Sequence, residues 1–387
     1  MTFCSPGAGS YSVSAKKRIN SFVLLSTFRI FGFAELILHS EMKRKVYFPF
    51  AFHSFFCNFA LMNAENPYIL QYPELLAGKT LLYVHGFASS GQSGTVSRLR
   101  TVMPQARVIA PDLPIHPAEA MALLQDICQK EQPDLIIGTS MGGMYAEQLY
   151  GFDRICVNAA LEMGETMRAH GMTGTQQFQN PRLNGVQEFY VDKALVKEYK
   201  EQSEQRFKGV TDEERQRVFG LFGDQDTTVD TYDLFHSVYP QALHFHGEHR
   251  MNDQSFMHSV VPVIRWIDDR QEHRERPIIY IGMECMTNRE QQPASSVQKA
   301  VRLLIEHYQV YFVAEEEAMA RCWLEEYIGV PAWRHLITTW RRDLLYGDYL
   351  IAHKGGGDTM ATLLEYGSDT FKTWEDIIAY FARLGGQ

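Results

Sequence analysis

From Lys79 onward, short apolar runs alternate with stretches whose apolar residues fall at helical spacing. "TLLYVHGF" (80–87), "ARVIAPDLP" (106–114), "DLIIGTSMGG" (134–143), "RICVNAA" (154–160), "RVFGLFGD" (217–224) and "ALHFHG" (242–247) are short runs bounded by Gly, Pro or Asp. Such runs suit strands buried on both faces. Between them, Pro117–Lys130 and Gly142–Tyr150 read as helices, and a further helix is expected from about Asp253 to Asp268. This alternation predicts an α/β fold: a mostly parallel sheet with helices on both faces.

Residues 161–212 break the rhythm. They are polar and rich in Met and Gln, with a charged helical stretch near Val191–Phe207. An insertion between two strands of such a sheet is expected to cap the site. Phe178, Phe189 and Tyr190 in this cap are candidates either to line a pocket or to pack the lid.

The charge-rich segment "DDRQEHRERP" (268–277) reads as a link, after which the alternation restarts. "PIIYIGM" (277–283), "YQVYFVA" (308–314), "RHLITTW", "DYLIAH" and "TLLEYG" read as strands, with helices at about 294–307, 315–327 and 373–383. Residues 277–387 are thus expected to form a second, smaller α/β domain. "Lys354-Gly-Gly-Gly-Asp358" resembles a phosphate loop, but no helical pattern follows it, so a hairpin turn is expected there.

The first 61 residues are written differently. They carry seven basic and two acidic residues, and 11 of the 24 Phe. Of the overall net charge of −9, they contribute +5 and the rest of the chain −14. Their apolar stretches, Ser21–Leu38 and Val46–Leu61, are interrupted by Arg29 and Glu35 and by Pro49, His53 and Asn58 respectively. Neither suits a membrane span. A targeting segment, a packed extension and upstream sequence read through into the chain are the three readings. The last is preferred, with Met62 as the natural start.

The acidic body argues against nucleic-acid partners, and no stable membrane insertion is expected. Six Cys occur without a Cys-x-x-Cys pair or a regular framework, which fits a reducing, cytoplasmic location. Cys156, in an apolar run, is expected in the core.

"Gly138-Thr-Ser140-Met-Gly142-Gly143" stands between an apolar strand and a helix, the context that the G-x-S-x-G elbow requires. There a serine hydroxyl projects above the sheet as a nucleophile. The N–H of Met141 would face a developing oxyanion. In "His85-Gly86-Phe87", the N–H of Phe87 is the candidate second donor, with His85 expected to be structural.

A nucleophilic serine needs a base and an orienting acid, in the chain order Ser, Asp or Glu, His. "Gly223-Asp224-Gln225-Asp226-Thr-Thr-Val229" offers Asp226, with Asp224 as the alternative acid; Asp230 is expected in a turn. "His244-Phe-His246-Gly247-Glu248-His249" offers His249 as the base. The same cluster has the spacing of a metal site, but no acidic or Cys ligand set accompanies it, and no cofactor or metal is expected.

On these motifs, residues 80–268 resemble an α/β-hydrolase of the YqiA/YcfP-type esterase family. The similar stretches are "LLYVHGFASS", "VIAPDLPIHPAEA", "GTSMGGMYAEQL", "ICVNAAL" and "GEH". The resemblance implies cofactor-free hydrolysis of carboxylic esters or acyl thioesters. It assigns Ser140 as nucleophile, His249 as base, and Met141 with Phe87 as oxyanion donors. "GDQDTTVD" is longer than the family's usual stretch, which leaves Asp224 and Asp226 both open. The hydrolase domain would span 62–270, with its cap at about 161–212.

"IIYIGMECMTN" (278–288), "LLYGDYLIAH" and "EYGSDTFKTWEDI" loosely resemble haloacid-dehalogenase-type, deoxynucleotidase-like proteins. The two aspartates of that family's first motif are replaced here by Gly282 and Glu284. Gly282 can form no phospho-aspartyl intermediate, so the domain is expected to be degenerate, serving as a partner surface, dimer contact or ligand sensor. Glu284 and Asp348 are expected as solvated carboxylates, with a divalent ion as the alternative. A phosphohydrolase in this domain, or a non-catalytic scaffold, is the competing reading for the whole chain.

Overall fold

A computed structural model describes residues 69–288, 290–329, 334–354 and 359–385. The readings made for residues 1–61 lie outside the described residues.

The apolar runs of the first half form β1 (Thr80–Val84), β2 (Arg107–Ile109), β3 (Leu135–Thr139) and β4 (Arg154–Val157). A hairpin of β5 (Gly174–Gln177) and β6 (Glu188–Val191) follows, then β7 (Val218–Gly223) and β8 (Ala242–Phe245). Apart from the hairpin, these strands make one sheet in the order β2-β1-β3-β4-β7-β8, parallel throughout.

The interleaved helices are α1 (Gly94–Val102), α2 (Pro117–Glu131), α3 (Met141–Glu147), α4 (Met163–Ala169), α5 (Lys193–Ser203), α6 (Asp212–Arg217), α7 (Tyr232–His236) and α8 (Val261–Gln271). Their starts follow local chemistry. Pro117, whose fixed φ suits the first helical position, opens α2, and the Asp192 carboxylate caps α5 by accepting the Leu195 N–H at 2.8 Å. A helical turn (Asp253–Ser255) and a π-helical turn (Phe256–Val260) run into α8, so the expected last helix is present with a local underwound π-turn. It continues to Gln271 and so takes up the first four residues of the stretch expected as a link.

Both faces of the sheet are covered, as the continuous apolar runs require. Leu81, Tyr83, Ile137, Ile155 and Leu221 pack with Val96 and Leu99 of α1 and Ile264 and Ile267 of α8. The alternate residues Leu82, Val84, Ile136, Cys156 and Phe222 pack with Leu124 of α2, Met144 of α3 and Phe235 of α7. Arg154 is buried at the start of β4. Its guanidinium donates to the Glu147 carbonyl and to the Glu214 carboxylate, and lies 5.2 Å from the Tyr150 ring.

The second alternation forms β9 (Ile278–Gly282), α9 (Val297–His307), β10 (Gln309–Ala314), α10 (Glu317–Tyr327), β11 (Leu336–Thr338), β12 (Tyr349–His353), β13 (Thr362–Tyr366) and α11 (Trp374–Gly385). Its five strands are all parallel, in the order β11-β10-β9-β12-β13. Val301 and Leu304 of α9 and Trp374 and Ile377 of α11 cover one face. The Gly-rich run at 355–358 lies outside the described residues. The strands flanking it pair in parallel, so they do not form the expected hairpin.

Residues 66–387 form one compact unit, in which the two sheets meet. Arg302 of α9 donates to His258 Nε2 at 3.0 Å, and Arg334 donates to the Pro240 carbonyl at 3.2 Å. Among the described residues, no helix is long and apolar enough to cross a membrane. Cys128, Cys156 and Cys285 are free and buried, while Cys322 is free and exposed.

Candidate active site

Ser140 stands between β3 and α3 with φ 56° and ψ −120°, a conformation that L-residues rarely adopt and that costs roughly 1–3 kcal/mol. The flanking glycines allow it. A Cβ on Gly138 would lie 2.2 Å from the Gly142 carbonyl oxygen, and one on Gly142 would lie 2.0 Å from that of Val84. The turn is held from β4: Ser140 N–H donates to the Val157 carbonyl at 2.9 Å, and Ala160 N–H donates to the Ser140 carbonyl at 3.0 Å.

His249 lies on the loop after β8 and Asp226 on the loop after β7. Ser140 Oγ and His249 Nε2 are 3.0 Å apart, with the hydroxyl as donor when the imidazole is neutral. His249 Nδ1–H donates to Asp226 Oδ2 at 2.7 Å. The other Asp226 oxygen accepts the N–H groups of Thr228 and Val229 at 2.7 and 3.0 Å. Burial alone would raise the Asp226 carboxyl, but the His249 hydrogen bond and these two N–H groups outweigh it and hold the carboxyl below its usual range.

Asp224, the alternative acid, faces elsewhere. Its carboxylate meets His246 Nδ1 at 3.2 Å and accepts the Gly247 N–H at 3.0 Å. His244 stacks on the Tyr232 ring, with centroids 3.8 Å apart. The three histidines of the cluster therefore have three separate sets of partners. Among the described residues, no three His, Cys, Asp or Glu side chains converge as metal ligands.

The N–H groups of Phe87 and Met141 find no acceptor among the described residues; Phe87 borders the site, and Met141 follows Ser140 at the start of α3 with its side chain in the core. His85 shapes the loop that carries Phe87. The Leu113 N–H donates to its Nε2 at 3.0 Å, so Nδ1 holds the proton and donates to the Gly86 carbonyl at 2.8 Å. Burial drives the His85 imidazole down to about 4, which keeps it neutral and in this tautomer.

Ser140 and His249 open onto a cavity of about 790 Å³. The insertion contributes Met163, Thr166, Met172, Gln179 and Asn180 to its wall. Phe178 and Phe189 do not line it. Their rings pack on each other at 4.6 Å, Phe189 meets Phe87 at 5.4 Å, and Tyr190 is exposed. Of the two roles open to these aromatics, Phe178 and Phe189 take lid packing.

Residues 80–261 match the family model UPF0227, an uncharacterised protein family. That stretch carries the elbow, the acid loop, the base loop and the first half of the closing helix. The matched segment is similar to that family, which includes the YqiA/YcfP type. The chain is also similar in fold to solved α/β-hydrolases. The thioesterase domain from the curacin biosynthetic pathway is 16% identical with a TM-score of 0.29, covering 46% of this chain and 88% of that one. Est1E from Butyrivibrio proteoclasticus is 13% identical with a TM-score of 0.35, covering 51% and 89%. A Vibrio phage KVP40 protein named "Putative 5'(3')-deoxyribonucleotidase" is 33% identical over 63 residues, 16% of this chain and 37% of that protein's length.

One residue of the UPF0227 segment escaped the sequence reading. Asn158, directly after β4, is buried, and its side chain bonds to both the acid loop and the base loop. An Asn ending an apolar run looks like an ordinary turn residue.

The second sheet has its own cleft of about 620 Å³ at the ends of β9 and β10, bordered by Glu284, Arg342 and His353. Glu284 is an exposed carboxylate, as expected, but it is not free. Arg342 clamps it with two bonds of 2.7 and 2.9 Å. Asp348 precedes β12 and accepts the Ile278 N–H at 2.7 Å, at the opposite end of β9 from Glu284. The two carboxylates do not share a site.

Proposed function

We propose that the UPF0227 segment is a serine hydrolase that cleaves carboxylic esters or acyl thioesters through an acyl-enzyme. The observation that carries this reading is the unbroken hydrogen-bond chain from Ser140 Oγ through His249 to Asp226, with Ser140 held at a positive φ. A hydroxyl so placed has a base within reach and an acid behind the base.

In this reading Ser140 Oγ attacks the acyl carbon while His249 Nε2 takes its proton. The carbonyl oxygen, now anionic, receives the N–H groups of Phe87 and Met141. His249 returns the proton to the leaving alkoxide or thiolate, and the acyl-enzyme remains. Water then attacks the same carbon, giving its proton to His249, and His249 returns that proton to Ser140 Oγ as the C–O bond to Ser140 breaks and the acid is released. Asp226 keeps Nδ1 protonated and stabilises the imidazolium, and no cofactor enters. The second sheet is proposed as a separate domain without chemistry of its own. Gly282 offers no nucleophile where the phosphohydrolase motif needs one, and Glu284 is engaged by Arg342.

The test is labelling of the full chain with a fluorophosphonate, followed by a panel of p-nitrophenyl esters and acyl thioesters. Labelling at Ser140, with hydrolysis abolished in Ser140→Ala, is expected. Hydrolysis that survives in Ser140→Ala removes the mechanism. Absence of labelling favours the scaffold reading.

A further inference from the structure

We propose that Asn158 is a positioning residue that sets Asp226 and His249 relative to Ser140; this rests on reading those three as the reacting set. Asn158 is 1% exposed and holds a left-handed backbone with φ 46°. Its side chain makes three hydrogen bonds, none within its own loop. Oδ1 accepts the N–H of Gly223 at 2.7 Å, three residues before Asp226. Nδ2 donates to the carbonyls of Glu248 and His249, both at 3.1 Å. The partners fix the orientation of the amide, because one can only donate and the other two can only accept.

The backbone on either side of Asn158 holds the nucleophile. Val157 accepts the Ser140 N–H, and Ala160 donates to the Ser140 carbonyl. One residue therefore joins the elbow, the acid loop and the base loop. The two loops also touch directly, since Gln225 N–H donates to the Gly247 carbonyl at 3.0 Å. That contact alone ties neither loop to the elbow. Without the Asn158 amide, the carbonyl of His249 itself loses its donor, and the imidazole is free to drift from Ser140. A displacement of 1 Å in such a set costs about 100-fold in rate.

Two variants test this in the full chain. Asn158→Gly keeps the left-handed backbone and removes all three bonds. Asn158→Asp keeps the acceptor for Gly223 but sets an anionic oxygen against two carbonyl oxygens. With p-nitrophenyl butyrate, both are expected to lower kcat about 10- to 100-fold and leave KM within about threefold. In Asn158→Gly, which adds no charge beside His249, the acid limb of the kcat/KM profile should move to lower pH, because a loosened Asp226 contact favours the imidazolium less. The downfield proton NMR signal of His249 Nδ1–H, which needs no substrate, should weaken or vanish in both.

A folded Asn158→Gly protein with kcat within twofold of wild type and an unmoved acid limb overturns the proposal. So does failure of both variants to fold, which makes the role structural. If the wild type hydrolyses no ester, the NMR signal decides alone. Its loss in the variants sustains the positioning role while the proposed function fails, and its persistence overturns both.

Discussion

The Asp226 carboxylate lies 2.7 Å from His249 Nδ1, whereas Asp224, two residues earlier, is turned to His246. The two acids of one loop thus serve two different histidines. Asp226→Asn should lower kcat by about 10⁴-fold, since the amide no longer holds the imidazole in the productive tautomer. Asp224→Asn keeps an acceptor for the Gly247 N–H and should stay within about twofold. Steady-state ester hydrolysis by the two variants checks this, and a reversal of their ranking would give the acid role to Asp224.

Gly142 sits where the elbow crosses β1, and a methyl group there would lie 2.0 Å from the Val84 carbonyl oxygen. Backbone cannot yield to it as a flexible side chain would. Gly142→Ala is expected to lower stability by several kcal/mol and activity by at least about 100-fold. Gly94 is the control: a Cβ there meets nothing within 4 Å, so Gly94→Ala should change stability by no more than about 1 kcal/mol. Thermal unfolding and ester hydrolysis measure the contrast.

Arg154 is fully buried against the Glu214 carboxylate and the Glu147 carbonyl. Truncation to Ala leaves the Glu147 carbonyl without the guanidinium and the Glu214 carboxylate buried with no cation, holding only the Gly151 N–H, and should cost about 3–5 kcal/mol in urea unfolding. The double variant Arg154→Met/Glu214→Leu removes both charges together and should recover most of that loss. A single-variant cost below about 1 kcal/mol would contradict this account of the pair.

His258 is buried, and burial first, then the Arg302 charge, drives its imidazole down to about 4. In the unfolded chain it takes up a proton below about 6.5. Between those values the unfolded state binds more protons, so stability rises with pH there and is lost on acidification from 6.5 toward 4. The loss from this one group is about 3 kcal/mol, and none follows below the folded value. His85 behaves in the same way for the same reason. His258→Gln, which keeps an acceptor for Arg302, should flatten the pH dependence of unfolding by about that amount relative to wild type. An unchanged slope in the variant would sink this assignment.

Much of the fold was legible because it rests on local rules. Apolar runs ended by Gly, Pro or Asp announce buried parallel strands, and the strand–Gly-x-Ser-x-Gly–helix order announces the elbow. The spacing past the strand favours Asp226 over Asp224 but does not decide between them. Both are carboxylates on the same loop, and only the path of the chain after β7 decides which one meets His249. Asn158 was hidden for a related reason. Its three partners lie 65 to 91 residues away and are all backbone groups, which leave no side-chain signature in a sequence. Arg154 was masked too, since a cation opening an apolar run reads as a solvated strand end. The parallel pairing of β12 and β13 was missed because a glycine run between short strands favours a hairpin locally, and the sheet overrides it.

The Arg302–His258 contact couples the stability of one sheet to the other. His258 sits in the π-helical turn that leads into α8, and its carbonyl crowds Gly329, where a Cβ would lie 2.3 Å away. Tyr72, Met257 and Val261 from one side face Val301, Ile305 and Ile328 from the other across this seam. Loosening the second sheet would uncover the helix that follows the His249 loop. The two halves should therefore melt as a single cooperative transition, with the loss of any enzymatic activity and the loss of the distant sheet occurring at one temperature.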